Sequence, residues 1–249
     1  MRARDERPTM IEPDGRETLV WPTDLTDPTP PPDGLVDLLA THRLVVLGYY
    51  PVPDQSTPEQ LRADREDEAA GAVASVADAV RERGVDVEET VVFTRDHEET
   101  IDRVAAEHGA DAVLTPGTVH ESITRVFVPV RGDGNLDRIV SFVAGLVTGS
   151  DAGVTLYNVT GSEDAASTGE FLLRGAADRL AEEGIDRDRV DWTVERGGDP
   201  VGSILGAATD HDLLVIGESE PSLRERILGN AAGELVDAAT QPVAVVRDA

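Results

Sequence analysis

Arg131, in the run "VPVRGDGN", has the chemistry to hold an anion or to pair with a nearby carboxylate such as Asp133. A second group able to meet an anion is Gly229–Asn230, at the entry of a helix expected from about Asn230. Asn is among the best N-caps, and a helix N-terminus offers unpaired N–H groups and the positive end of the dipole. Upstream, Gly217 closes the strand-like run "DLLVIG", where a missing side chain lets backbone amides approach a ligand. Asp24, in "WPTDLT", either caps a turn before "DPTPPP" or contacts a ligand. His108 and His211 occupy matching helix ends, where a partly protonated ring meets the negative end of the dipole, a structural role. His42, His97 and His120 lack ligand spacing such as HxxxH, so no metal site is expected. "RGDGNLD" opens like GxGxxG but has Asp137 at the third glycine. No GxSxG elbow, GxxxxGK[ST] loop, HExxH or SGGxDS-like loop occurs. No nucleophile and base are paired by these patterns, and the expectation is a protein that is not an enzyme.

The elements that must position these residues read as α/β. "TLVWPTDL", "RLVVLGYY", "RVFVPVRG" and "AGVTLYNV" are largely apolar runs, as expected of strands buried on both faces of a parallel sheet. Between them, Ala69, Val73, Val76 and Val80 recur at helical spacing, and Gly84 supplies a C-terminal stop that Gly184 repeats. This alternation predicts two doubly wound parallel-sheet units. The text also repeats: Gly84 answers Gly184 and Asp86 answers Asp186, while Asp96, Ile101 and His108 answer Asp199, Ile204 and His211 at one offset. The expected organisation is an N-terminal mobile tail over 1–16, one unit over 17–124 and a second over 125–249. The first unit is truncated, since after "DAVLTPG" it passes through "TVHESIT" straight into the second.

Composition narrows the function classes. The chain carries 49 Asp plus Glu against 22 basic residues, a formal net charge of -27, and all the basic residues are Arg. Such a chain resembles proteins adapted to molar salt, where a Debye length of about 3 Å screens self-repulsion. A basic surface for nucleic acid is absent, so that partner is not expected. With no cysteine, disulfides and thiol catalysis are excluded. The start of the chain lacks an apolar leader core, and Ile139 to Val147 falls short of the roughly 20 residues of a membrane helix. A soluble cytoplasmic protein without membrane insertion is the expectation.

The ending "IGESEPSLRERILGNAAGELVDAATQPVAVV" resembles that of the universal stress protein family, of the tandem two-domain, haloarchaeal type. The resemblance implies the adenine nucleotide alpha hydrolase-like fold and a phosphate loop of form G-x-x-G, nine residues, then G-S or G-T. Gly217 matches the first glycine, Gly229 the last, and Asn230 stands for the Ser or Thr. Glu220 replaces the middle glycine, with eight residues between it and Gly229. Glu218 and Glu220 would face the triphosphate, and like charges about 6 Å apart cost about 3 kcal/mol at an effective dielectric of about 20. Arg224 and Arg226 would offset part of this. The family also places an Asp at the end of the first strand, near the adenine; the second unit has Pro129, Val130 and Arg131 there, and only the first unit keeps the Asp, as Asp24.

Each unit therefore carries half a nucleotide site. The leading expectation is a stress-response regulatory module with a degenerate site, acting through partners or another small ligand. The alternatives are an ATP- or AMP-binding signalling protein using the second unit, and a cytosolic regulator of a membrane transporter. The resemblance also implies a homodimer through the closing strand, Pro242 to Arg247, with the first unit's edge covered by the second unit or by the tail.

Overall fold

The structure is a computed structural model that describes residues 16–119, 122–218 and 228–248, with the backbone alone for 228–232. In chain order the first half contains β1 (Thr18–Asp24), α1 (Asp33–Leu38), β2 (Arg43–Pro51), α2 (Pro58–Arg81), β3 (Asp86–Thr94), α3 (His97–Glu107) and β4 (Ala112–Thr115). The second contains β5 (Arg125–Pro129), α4 (Leu136–Val147), β6 (Gly153–Thr160), α5 (Glu163–Glu182), β7 (Val190–Arg196), α6 (Pro200–Ala208), β8 (Leu213–Gly217), α7 (Leu228–Ala238) and β9 (Val243–Val246). The α/β class and the doubly wound, mostly parallel sheet are as expected.

The local causes are those in the sequence. Thr57 and Gln60 form a reciprocal capping box at the start of α2, with Pro58 at the first helical position. The buried stripe of α2 is Ala69, Val73, Val76, Ala77 and Val80. Its chain then reverses at Gly84, with φ 86°, as that of α5 does at Gly184, with φ 96°. The Asp86–Asp186 correspondence fails. Asp86 opens β3, whereas Asp186 precedes a three-residue 3-10 turn, Arg187–Arg189, before β7. That turn accounts for the different spacing of the Gly84/Gly184 and Asp96/Asp199 pairs.

All nine strands join one sheet in the order β3-β2-β1-β4-β9-β8-β5-β6-β7. The two halves repeat one strand order outward from β9. Every pairing is parallel except β4 with β9, where Ala112 faces Val246 and Thr115 faces Val243. The first half has no strand of its own to follow β4, and the exposed edge is covered by β9, which also pairs β8 in parallel. The second unit thus covers the first unit's edge. The expected homodimer through Pro242 to Arg247 is corrected here: both edges of β9 are occupied inside the chain, leaving that strand no backbone edge for a second copy.

An antiparallel seam in a parallel sheet relates the halves by a half-turn about an axis normal to the sheet. Helices α1, α2, α4 and α5 consequently share one face and one continuous core that includes Trp21, Leu44, Phe142 and Leu173. On the other face α3 packs on Val20, Val45 and Leu47, and α6 and α7 pack around Phe127, Tyr157 and Leu214. The half-turn has a second consequence: the C-terminal ends of β1 and β4 lie at one rim of the sheet, and those of β5 and β8 at the opposite rim. Of the N-terminal tail, Arg16 is described and pairs with Asp86 at 2.9 Å; residues 1–15 lie outside the described residues, as does His120.

Candidate functional site

In an open α/β sheet a ligand binds beyond the C-terminal strand ends where strand order reverses, here between β1 and β4 and between β5 and β8. The first of these crevices is filled by its own loop. Leu25 is buried and lies over β2, close enough that a Cβ on Gly48 would sit 2.7 Å from Leu25 Cδ2. Trp21 Nε1 donates to the Thr29 carbonyl at 3.2 Å, and the Thr29 N–H donates to Thr23 Oγ1 at 3.1 Å, pinning the loop down. Asp24 Oδ1 accepts the Thr26 N–H at 2.8 Å and the Thr26 hydroxyl at 2.7 Å. Of its two expected roles Asp24 takes the turn cap, an Asx turn two residues long. Burial, and then the Asp24 charge, raise the pKa of Tyr49, whose ring stacks on His97 with centroids 5.5 Å apart.

Beyond β4 the same crevice is crossed by backbone. The Thr118 N–H donates to the Thr240 carbonyl at 2.7 Å, and Gly117 lies against Gln241 and Pro242. The approach to β9 thus occupies the place a phosphate loop would need.

The second crevice is built differently. Val130, just after β5, is buried, its N–H donating to the Tyr157 carbonyl at 2.7 Å and its carbonyl accepting from Asn158 Nδ2 at 2.7 Å. Pro129 is half-buried in the strand, and Arg131 emerges exposed and without an ion pair to Asp133. The chain then turns into α4 through Asn135, at φ 58°. The left-handed region admits Asn more readily than most residues because its short side chain bonds locally. Here that side chain is turned inward instead. Nδ2 of Asn135 is buried without a hydrogen-bond partner and would lie 3.8 Å from a Cβ on Gly217, with Ile139 Cδ1 nearer still at 2.6 Å. A side chain at 217 would displace the tip of Ile139, so Gly217 lets α4 pack closely on the end of β8.

One turn into α4, Arg138 Nη2 donates to Asp111 Oδ1 at 3.1 Å while its Nε is buried without a partner. The first turn of α4 thus carries two buried nitrogens with unmet donors, Asn135 Nδ2 near Gly217 and Arg138 Nε near Asp111. Asn135 and Arg138 carry no motif.

The remaining loop residues divide. Glu218 turns away from the crevice toward the seam: its carboxylate accepts the Asp248 N–H at 3.4 Å and lies 3.9 Å from Arg247 Nε. Arg247, 8% exposed, also donates to the Asp102 carbonyl at 3.2 Å, so it links β8's loop to α3 of the other half. Gly229 and Asn230 lie within α7 (Leu228–Ala238), so Asn230 is a helical residue and not the expected cap. Glu220, Arg224 and Arg226 lie outside the described residues. Asp24 and Gly217 are at opposite rims, and the structure does not bring them together.

The histidines have structural places. His211 Nδ1 and Nε2 lie 3.0 Å from the Ala207 carbonyl and 2.9 Å from Thr155 Oγ1. Burial lowers its pKa, which keeps the ring neutral near pH 7 rather than partly protonated as the helix-end reading supposed. His108 caps α3 with Nδ1 3.6 Å from Glu88. Among the described residues no group of three or more His, Asp or Glu could hold a metal ion, and no helix is long and apolar enough to cross a membrane.

Comparison with known proteins places this architecture. The model of the universal stress protein family matches residues 122–247, the whole of the second half. A universal stress protein from Archaeoglobus fulgidus DSM 4304 is similar over 92% of this chain and 98% of its own, at TM-score 0.65 and 17% identity. A protein of Pseudomonas aeruginosa PAO1 covers 94% and 93% at TM-score 0.59 and 18% identity. The cytoplasmic domain of a prokaryotic cation chloride cotransporter covers 94% and 96% at TM-score 0.51 and 15% identity. At these identities the likeness is one of fold, and it spans both halves. No curated protein matches the sequence. With the family model covering more than half its length, the chain belongs to the universal stress protein family.

Proposed function

We propose that the protein is a tandem, salt-adapted regulatory module whose adenine-nucleotide site is degenerate in both halves, and that it acts without catalysis, through a partner or a small anionic ligand. The observation that carries this reading is the placement of Asp24 and Gly217 on opposite rims of one sheet. The family's two nucleotide elements are divided between halves that face opposite ways, and no motion short of breaking β4 from β9 would join them. In the first half Asp24 holds its own turn, and Leu25 with Gly117 fills the crevice. In the second, Arg131 stands in the Asp position, where it would repel the protonated form of a base and attract an anion. Asn135, near Gly217, and Arg138 on the same helical turn add buried unmet donors.

Calorimetric titration of ATP and of AMP in 2 M KCl tests this. The expected result is no saturable heat below millimolar ligand. Micromolar binding of either nucleotide would favour the signalling alternative, with Asn230 in the place of the usual hydroxyl residue, and Gly229→Glu should then abolish it.

A second reading, control of a membrane transporter, draws on the whole-chain likeness in fold to the cotransporter domain. It predicts co-purification with a permease from native membranes, and isolation of the protein without any membrane protein counts against it.

A further inference from the structure

The two ends of the sheet are finished differently. At one end β3 is guarded by charge: Asp86, Glu88 and Glu89 meet Arg16, Arg43 and Arg81 across its surface. Such a rim of charged side chains blunts an edge strand against pairing. At the other end β7 carries Val190, Trp192 and Val194 along one face, and its residues are mostly exposed. Among the described residues the exposed large apolar side chains are Phe171, 80% exposed, and Trp192, 37% exposed. Both belong to this end. The Arg174 guanidinium lies 5.7 Å from the Trp192 ring centroid, and Phe171 sits one helical turn before Arg174 on the same side of α5. In a surface this acidic, both of the exposed large apolar groups among the described residues flank an open strand edge.

The backbone of that edge is available. The Gly197 N–H donates to the Thr160 carbonyl at 3.0 Å, so by the alternation of a parallel ladder Asp191, Thr193 and Glu195 turn their backbone groups toward β6. Trp192, Val194 and Arg196 turn theirs outward. The Val190 N–H is already given to the Arg187 carbonyl, leaving its outward carbonyl as an acceptor.

We infer that β7 is a dimer interface, pairing antiparallel with β7 of a second copy about a two-fold axis at Trp192 to make an eighteen-stranded sheet from two nine-stranded ones. Charge selects both the occupant and the register. With Trp192 opposite Trp192, Val190 faces Val194, Asp191 faces Thr193, and the Asp188 end of one strand meets the Arg196 end of the other. Shifting the axis to Asp191 puts that carboxylate opposite itself, and shifting it to Thr193 puts Asp191 opposite Glu195. Like charges directly opposed destabilise a strand pair, which disfavours both of those registers; centring on Val194 also avoids them, but only the Trp192 register sets Asp188 opposite Arg196. The Trp192 N–H and carbonyl of each copy exchange hydrogen bonds, each Val194 N–H meets a Val190 carbonyl, and the axis normal to the sheet carries the Phe171 side of each α5 toward the seam. This inference is independent of the nucleotide reading.

The test is size-exclusion chromatography with light scattering in 2 M KCl at tens of micromolar protein, on the full chain and two variants. Wild type is expected at twice the 26.5 kDa chain mass. Trp192→Glu, which sets two carboxylates against each other at the axis, and Val194→Pro, which deletes an outward donor that β6 does not use, are each expected as monomers with an unchanged far-UV circular dichroism spectrum. A monomeric wild type, or a folded Trp192→Glu variant still at twice the chain mass, overturns the proposal.

Discussion

Gly117 packs backbone to backbone on Gln241: a Cβ at position 117 would fall 2.1 Å from the Gln241 carbonyl carbon and 2.2 Å from Pro242 N. The contact joins the loop after β4 to the approach to β9, where the two halves meet. Since backbone atoms on both sides cannot swing away as a side-chain tip could, even a methyl group must push the strands apart. Gly117→Ala is expected to destabilise the protein by about 1–3 kcal/mol or more, the usual cost of overpacking. Denaturant unfolding in molar KCl measures it, and an unchanged midpoint would mean that the seam is looser than described.

Asp212 is expected to give the fold a dependence on acid. Its Oδ2 accepts the N–H groups of Thr124 and Arg125 at 2.8 and 2.9 Å and the Thr124 hydroxyl at 2.9 Å, fixing the start of β5. Burial raises its pKa and is the largest single influence, but the hydrogen bonds and the Arg125 charge together leave it below the ordinary value. A carboxylate with a depressed folded pKa stabilises the native state above the unfolded value of about 3.9, and that contribution is lost as pH falls through the folded pKa. Asp212→Asn is expected to lose about 1–3 kcal/mol at pH 7. Its deficit should shrink toward pH 2; a deficit constant from pH 7 to pH 2 would contradict this role.

Salt should stabilise the chain. Ion pairs such as Arg103–Glu107 and Arg187–Asp178 are exposed and contribute little, whereas a net charge of -27 repels itself throughout. The unfolding temperature is expected to rise steadily from 0.1 to 2 M KCl in a thermal melt followed by circular dichroism. A temperature that falls with salt would show that the exposed pairs outweigh the repulsion.

Much of this architecture is legible in the residues. Runs such as "RLVVLGYY" read as strands because a parallel strand is covered on both faces, and Gly84 and Gly184 mark helix ends because each takes a positive φ. Asp24 with Thr26 two residues on is an Asx turn in the sequence as in the structure. The sense of the β4–β9 pairing is not legible: "VAVV" fits either direction, and only the absence of a strand after β4 leaves an edge for it to fill. Arg138 with Asp111 and Arg247 with Asp102 are equally silent, since each depends on how the halves meet and not on local spacing. The nucleotide elements were visible one by one; their separation to opposite rims follows from that one antiparallel pairing.

An engineered cysteine pair reads the direction of that seam most directly, because the chain has no cysteine of its own. Directly opposed residues of antiparallel strands bring their Cβ atoms within reach of a disulfide, and Thr115 stands opposite Val243. Under mild oxidation Thr115→Cys with Val243→Cys is predicted to form an intrachain disulfide, seen as a loss of two hydrogen atoms by mass spectrometry, while Ala112→Cys with Val243→Cys stays reduced. The reverse outcome, a bridge from 112 and none from 115, would mean that β4 and β9 run in parallel and that the two crevices share a rim.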